Sequence, residues 1–496
     1  YHEAERCCAG AASLSFMIYA PYGIMAMSYN SLGILNMALA LVIMCTAKRA
    51  VKIQYIFAGL FYAAAVLCCP YLAIVYVVYL AAVIIAAIRR RKRDIPTDGS
   101  VYAAVPWLFV TIGSAIMAVI FLAIVLSRAG IGDIIKAFPA IMADPEHEAI
   151  GLISVIKDYI KSILKANAYT LYIFIAFAIV FIIMLIDRKR AKRRLIYFAI
   201  AAALTVILMA SFMFTFRYLN YTMFPLNAMA VFCAVLFNDS IVRKMFRTIW
   251  LPGMIYTFCI HMSSNQQFFV ISSASSAALI ASCVMTARCA GLMCRKEKAY
   301  ILTGGAGEAK EDTGTDQEIS RAHTAGVLAV IVVICLFAVQ LGCETYMRYS
   351  SVFWENREDL TVLLEEGPSK GVYSSRANAV VYNDFISAAK VIPEQFKDAD
   401  SILLLSEKTW GYLALEDLNN SSYSAWLSIA GHVDECLDRQ LLYYELNPDK
   451  IPDLIYLEGI KTREAFEFLT ELYYNDKTVI TEFMANSMTD LRQKLA

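Results

Sequence analysis

Lys157, Lys161 and Lys165 recur at every fourth position of the segment 153–166. On a helix that spacing brings side chains to one side. Three ammonium groups in a strip suit a phosphate held at a surface, such as that of a lipid carrier. The plain alternative is lysines reaching from an amphipathic helix toward anionic headgroups. Arg217, in Arg217-Tyr218-Leu219-Asn220 and followed by Pro225, is a second cation at the end of an apolar run. A guanidinium can grip a phosphate at two points, or it can pair with a nearby carboxylate. Ser28-Tyr29-Asn30 and Ser263-Ser264-Asn265 each sit at the mouth of an apolar run. Such groups bind sugar hydroxyls or cap helices. Tyr29, Asn30, Tyr218, Asn220 and Asn265 are the candidates for a sugar or its acceptor. Asp144, Glu146 and Glu148 with His147 offer acid, base or metal chemistry, although clustered acids in a loop are ordinarily just solvated. The turn 366–371 (Glu-Gly-Pro-Ser-Lys-Gly) suits a tight reversal with room for a ligand. Asn420-Ser421-Ser422 fits the glycosylation triplet, a weak pattern. No P-loop, HExxH or GxSxG occurs, and Gly304-Gly305-Ala306-Gly307 has the composition of a linker.

The elements that must carry these residues are apolar. The chain is 59% hydrophobic and only 18% charged, against ~25% charged in soluble chains. A spanning helix needs about 20 apolar residues, with ~17 tolerated. Runs near 7–20, 29–47, 54–69, 71–88, 104–127, 168–187, 195–216, 224–240, 250–264, 269–288 and 323–343 meet or approach that length. The short runs 54–69 and 71–88 meet at Pro70, which reads as a hairpin.

Charge orients them. Residues 1–343 hold 30 Lys and Arg against 17 Asp and Glu, a net +13, whereas residues 344–496 hold 14 against 26, a net −12. Of the 30, 24 fall in one alternating set of loops: Lys48 to Lys52, Arg89 to Arg93, Arg188 to Arg194, Arg243 to Arg247, and Arg295 to Lys298, with Arg6, Arg288, Lys310 and Arg321. Basic loops stay cytoplasmic. Residues 344–496 then fall outside the cell, as do Arg217, against the bias for cations, and the loop 128–167. Within that loop Ile156, Tyr159, Ile160, Ile163 and Leu164 make an apolar face beside the lysines, the pattern of a helix lying in the membrane interface.

The expected architecture is therefore mainly α: a polytopic transmembrane bundle of about eleven spans with a C-terminal exterior α/β domain. Residues 1–298 form the bundle with the interfacial helix 153–166. Residues 299–322 form a Gly-rich cytoplasmic linker, 323–343 the last span, and 344–496 the soluble domain. In that domain 361–364, 401–405 and 453–457 read as strands, and 378–390, 434–444 and 463–474 as helices. Alternation favours an α/β layer with some parallel pairing. The 13 cysteines include no CxxC, which argues against a disulfide or metal framework. The chain opens on Tyr1 and runs at once into apolar sequence without a signal peptide, so it reads as a fragment.

These features resemble the GT-C membrane glycosyltransferases, which use polyprenyl-phosphate sugars. The likeness rests on Ser28-Tyr29-Asn30-Ser31-Leu32-Gly33, a span, a basic turn, Ala58-Gly59-Leu60 and a hairpin broken at Cys69-Pro70. It extends to Arg217-Tyr218 with Pro225 and to the interfacial helix, and covers roughly residues 7–290. The resemblance implies transfer of a sugar from a polyprenyl-phosphate carrier to a cell-surface glycan or protein. Arg217, Lys157, Lys161 and Lys165 would contact the carrier phosphate. The donor lipid is the one bound small molecule implied, with membrane lipids and the acceptor as partners and no nucleic acid; no metal-binding residue is assigned. The family's catalytic acid sits in its first outer loop, which here would lie upstream of Tyr1, so no catalytic residue is assigned. Two other readings stay open. One is a transporter or flippase of lipid-linked glycans, whose hallmarks would be an inverted repeat and helices broken at the midplane. The other is a non-catalytic membrane scaffold.

Overall fold

The computed structural model describes residues 29–47, 51–93, 102–142, 152–167, 169–187, 193–216, 219–262, 267–294, 342, 345–346, 349–352, 355–406, 408–424, 433–457 and 479–482. The expected spans at 7–20 and 323–343, the linker 299–322 and the helix 463–474 lie outside them. The described chain is mainly helical. It divides by contact into one unit of residues 1–124 with 150–349 and another of 125–149 with 350–496.

The apolar runs fold as helices and stop where the local sequence cannot continue. Helix α1 is Tyr29–Thr46, α2 Lys52–Cys68, α3 Ala73–Arg93 and α4 Ala104–Leu126. Between α2 and α3, Cys69 is extended (φ −147°, ψ 99°), the conformation that a following proline imposes. Pro70–Leu72 then makes a single 3₁₀ turn. Tyr62 staples this reversal: its hydroxyl donates to the Leu72 carbonyl (2.5 Å) and accepts from the Tyr76 amide (3.0 Å). Helix α5 is Ile131–Met142, α6 Leu152–Lys165, α7 Thr170–Ile186, α8 Arg194–Phe216, α9 Leu219–Met223 and α10 Leu226–Leu236. Helix α11 is Ser240–Met245, α12 Leu251–Met262, α13 Gln267–Ala274 and α14 Ser276–Cys294.

Among the described residues four helical stretches are long and apolar enough to cross a membrane: Pro70–Arg89, Ala104–Leu126, Arg194–Phe212 and Ser276–Met293. A fifth is added if Ile153–Lys165 and Thr170–Ile186, bent by 103°, are one broken span. Helices of this kind are compatible with an integral membrane protein. Other expected spans are apolar but shorter. Helix α2 has 17 residues, roughly 25 Å at 1.5 Å per residue against a hydrocarbon core of ~30 Å. The run 224–240 is interrupted more severely. It becomes the five residues of α9, a turn at Phe224 and Pro225, and the 11 residues of α10. The run 269–288 is α13 and α14, whose ladder continues through Ser275 (Ser275 N to Ile271 O, 3.1 Å; Leu279 N to Ser275 O, 2.8 Å).

Burial distinguishes centre from rim. The Ser276–Met293 stretch is 67% buried and Ala104–Leu126 only 11%, so α14 sits within the bundle and α4 offers most of its apolar surface outward. The crossing of α2 and α4 is close enough to exclude a side chain at two positions. A Cβ at Gly59 would lie 2.1 Å from the Val110 carbonyl oxygen, and one at Gly113 2.0 Å from that of Ile56. Backbone contact of this kind lets α2 and α4 pack through small residues, and the Ser114 hydroxyl adds a hydrogen bond to the Gly59 carbonyl (3.1 Å). At the far end of α10, Asp239 caps α11 by accepting from the amides of Ile241 and Val242. It also receives two hydrogen bonds from the Arg288 guanidinium (2.8 and 3.0 Å).

The second unit carries the strands. Val362–Leu363 (β3) and Tyr373–Ser374 (β4) form a hairpin, as do the shorter Ser351–Val352 (β1) and Glu355–Asn356 (β2). Ser401–Leu405 (β5), Asn419–Asn420 (β6), Leu454–Leu457 (β7) and Val479–Glu482 (β8) form a parallel sheet in the order β6-β5-β7-β8. Helix Arg376–Gln395 (α15) covers it, with Phe385, Ala389 and Ile392 against Ile402, Leu404 and Tyr456. Asp453 ties the strand starts together by accepting from the amides of Asp400 and Ser401 and from the Ser401 hydroxyl. Val433–Leu446 (α16) precedes β7.

Candidate functional site

The lysines lie on α6, and its geometry divides into three sectors. At about 100° per residue, Val155, Tyr159, Ser162 and Ala166 share one side. Val155, Ser162 and Ala166 are buried, and Tyr159 is half-buried. Ile153, Ile156 and Ile160 share a second side and are exposed, 42–71% of each accessible. Lys157, Lys161 and Lys165 occupy a third side, also exposed. The apolar face expected from sequence is thus split. Tyr159 and Ile163 turn to the protein, whereas Ile153, Ile156 and Ile160 stay largely accessible. A helix with one side on protein, one apolar side bare and one cationic side is built for a boundary between oil and water.

Two contacts fasten α6 to α12. The Tyr159 hydroxyl bonds the Thr257 hydroxyl (2.6 Å), which itself donates to the Met254 carbonyl (2.7 Å). The Tyr159 ring also meets Phe258 and His261 edge-on, with centroids 5.5 and 5.4 Å apart. Beside it the Asp158 carboxylate lies 3.3 Å from Nε2 of the nearly buried His261. The corner between α6 and α7 is held by Asn167. Its side-chain oxygen accepts from the Tyr169 amide (2.9 Å) and the Ser211 hydroxyl (3.0 Å), and its amide donates to the Ser211 carbonyl (3.2 Å). The end of α6 is therefore pinned to α8. Replacing Tyr159 with Phe removes one hydrogen bond and is expected to cost about 1 kcal/mol. Thermal unfolding of the purified protein checks this, with Lys161→Gln as the exposed change that should leave the midpoint in place.

The other sequence candidates are placed unevenly. Tyr29 opens α1 and is exposed. Asn30 and Asn220 lie in α1 and α9, with side chains outside the described set, and Arg217, Tyr218 and Asn265 fall outside it altogether, as do Asp144, Glu146, His147 and Glu148. The turn 366–371 is closed on itself. Tyr382 donates to the Glu366 carbonyl and accepts from the Ser369 amide (both 2.9 Å), Glu366 pairs with Lys390, and Gly367 and Gly371 take positive φ. Its polar groups serve the fold of the hairpin. Asn420 likewise accepts from the amide and hydroxyl of Ser422, both at 2.8 Å.

Asp158, His261 and the pair Tyr159–Thr257 were not among the residues singled out from sequence. Asp158 carries a faint signal as the one acid among three lysines. His261 carries none, because an isolated histidine at the end of an apolar helix is ordinarily a packed core residue. Among the described residues no three His, Cys, Asp or Glu side chains converge as a metal site would require. No protein family, curated protein or solved structure matches the chain.

Proposed function

We propose that this is a membrane glycosyltransferase that transfers a sugar from a polyprenyl-phosphate carrier to an acceptor at the cell surface. The observation that carries the reading is helix α6, with its accessible isoleucines, its lysine strip and its 103° angle to the apolar helix α7. A helix lying across the direction of a span, at the interface, sets Lys157, Lys161 and Lys165 at the depth of a lipid phosphate. Arg217 follows the α8 stretch that holds the α6 corner through Ser211. In such transfer the carrier phosphate is the leaving group, and cations at the interface stabilise the charge it acquires. A carboxylate base that takes the acceptor hydroxyl proton completes the chemistry. The bundle of about eleven spans, the plasma-membrane location and the exterior placement of residues 344–496 belong to the same proposal, resting on the charge asymmetry between loops.

The transporter reading would draw on the polar residues buried around α10, α13 and α14. The Thr286 hydroxyl of α14 is buried without a hydrogen-bond partner, but the serines around Ser275 and Asn227 are satisfied locally. Ser272 and Ser273 donate to the Phe269 carbonyl, Ser275 to Ser272 and Ser276 to Ser273. Asn227 donates to the Phe224 carbonyl and accepts from Ser282. Groups that bond their own helix or its neighbour offer little to a passing cargo.

The test is reconstitution in proteoliposomes holding radiolabelled polyprenyl-phosphate sugars and a mixture of cell-surface acceptors. Release of polyprenyl phosphate with label on an acceptor is the expected result. Movement of intact carrier across the bilayer without cleavage would favour the transporter, and neither outcome would sink both.

A further inference from the structure

A second constellation lies away from α6, where α1, α2, α3 and α4 meet the turn before α12. A cavity of about 110 Å³ opens there. Its walls are apolar: Met37, Leu41 and Met44 of α1, Val75 and Val78 of α3, and Val110 of α4. Tyr62, Tyr76, Tyr79 and Tyr102 also line it, and the hydroxyls of Tyr62, Tyr76 and Tyr102 serve the protein. Tyr62 is committed to the α2–α3 staple, Tyr76 bonds Thr111 (2.8 Å), and Tyr102 donates to the Arg247 carbonyl (2.5 Å). Thr248, also lining the cavity, donates to the Lys244 carbonyl (2.8 Å).

Among the described residues that leaves one charged residue lining the crevice, Arg247. It is exposed, and among the described residues no carboxylate pairs with it. Arg247 sits in the turn Phe246–Trp250, a π-helical turn closed by the Leu251 amide on the Phe246 carbonyl. Such widened turns occur frequently at functional sites. Tyr102 and Arg247 both belong to the basic-loop side of the chain, with Arg243 and Lys244 one turn away. A dry, aliphatic and aromatic crevice with the Arg247 cation at its edge complements an amphiphile having an apolar tail and an anionic head. Basic pockets between membrane helices on that side bind anionic headgroups.

We infer that this crevice binds one anionic glycerophospholipid, an acyl chain lying between α1, α3 and α4 and its phosphate on Arg247. The site is separate from the lysine strip of α6 and does not rest on the glycosyltransferase reading. Native mass spectrometry of the purified protein in neutral detergent tests it, titrating phosphatidylglycerol against phosphatidylcholine. One phosphatidylglycerol should be retained at concentrations where phosphatidylcholine is not. Arg247→Gln should weaken that retention about tenfold, the scale of one charge-assisted contact. Ala82→Phe, which fills the crevice, should displace the lipid while Arg247 stays. The variant K157Q/K161Q/K165Q should retain the lipid unchanged, which separates this site from the proposed donor site. Equal retention of both lipids, undiminished retention by Arg247→Gln, or displacement by millimolar inorganic phosphate or by polyprenyl phosphate would overturn the assignment.

Discussion

Gly113→Val is expected to destroy the folded bundle. A Cβ at this position would sit 2.0 Å from the Ile56 carbonyl oxygen and 2.9 Å from its carbon. The obstacle is backbone, so no rotamer change relieves it, and α2 and α4 must separate. Separation would also strip Gly59 from Val110 and break the Ser114–Gly59 hydrogen bond. Ordinary overpacking costs about 1–3 kcal/mol, and a clash with rigid backbone belongs at or beyond the top of that range. The measurement is size-exclusion chromatography in mild detergent, where the variant should lose the monodisperse peak. Gly132→Ala is the control, because a Cβ at Gly132 meets nothing within 4 Å. A Gly113→Val protein that is monodisperse and unfolds at the wild-type temperature would mean that α2 and α4 do not cross here.

Asp239→Ala is the second large effect. The carboxylate and its Arg288 partner are each about 15% exposed (16% and 14%), so removal takes two charge-assisted hydrogen bonds from a mostly buried guanidinium. Breaking such a pair costs about 3–5 kcal/mol, and the lost cap of α11 adds roughly 1 kcal/mol. Partial burial works to raise the Asp239 pKa. The hydrogen bonds from Arg288 and from the amides of Val242 and Ile241 outweigh it and hold the carboxyl below the usual carboxylate range. A depressed native pKa means that this stabilisation is complete above the unfolded value, about 3.9. It is lost as pH falls through the native one. Thermal unfolding should therefore show a gap between wild type and Asp239→Ala that is constant at neutral pH and narrows at strongly acidic pH. A gap under 1 kcal/mol at neutral pH would show the pair to be solvated.

Hydropathy and helical spacing carried much of this architecture. Most apolar runs between 29 and 288 mark helices near their observed limits, because a long run of Ile, Val, Ala and Phe has few alternatives to a helix, whereas 224–240 and 269–288 each divide into two helices. The lysine repeat placed α6, and the Ile- and Leu-rich runs at 401–405 and 453–457 read as strands. What escaped was pairing at a distance. Asp158 and His261 lie on helices a hundred residues apart, and nothing local in either segment predicts their approach. Arg288 counted simply as one more basic residue of the cytoplasmic set, with no hint of Asp239. The same holds for Asn167 and Ser211. Helix α5 was read as loop, although Ile131, Ile135 and Phe138 recur at helical spacing, because 12 residues carry too little periodicity to stand out. The split of the α6 apolar face was also illegible, since protein and lipid both select Ile and Tyr.

The account turns on the lysine strip of α6. Binding of polyprenyl phosphate to the purified protein, compared between wild type and the variant K157Q/K161Q/K165Q, addresses it most directly. The three side chains are exposed and their removal should leave thermal unfolding unchanged. Affinity should fall at least tenfold, the loss of about 1.4 kcal/mol or more, and Arg217→Ala should lower it by a further charge-assisted contact of about 1.5–3 kcal/mol. A folded lysine variant that binds polyprenyl phosphate as tightly as wild type would contradict the assignment of α6 as the phosphate-holding helix.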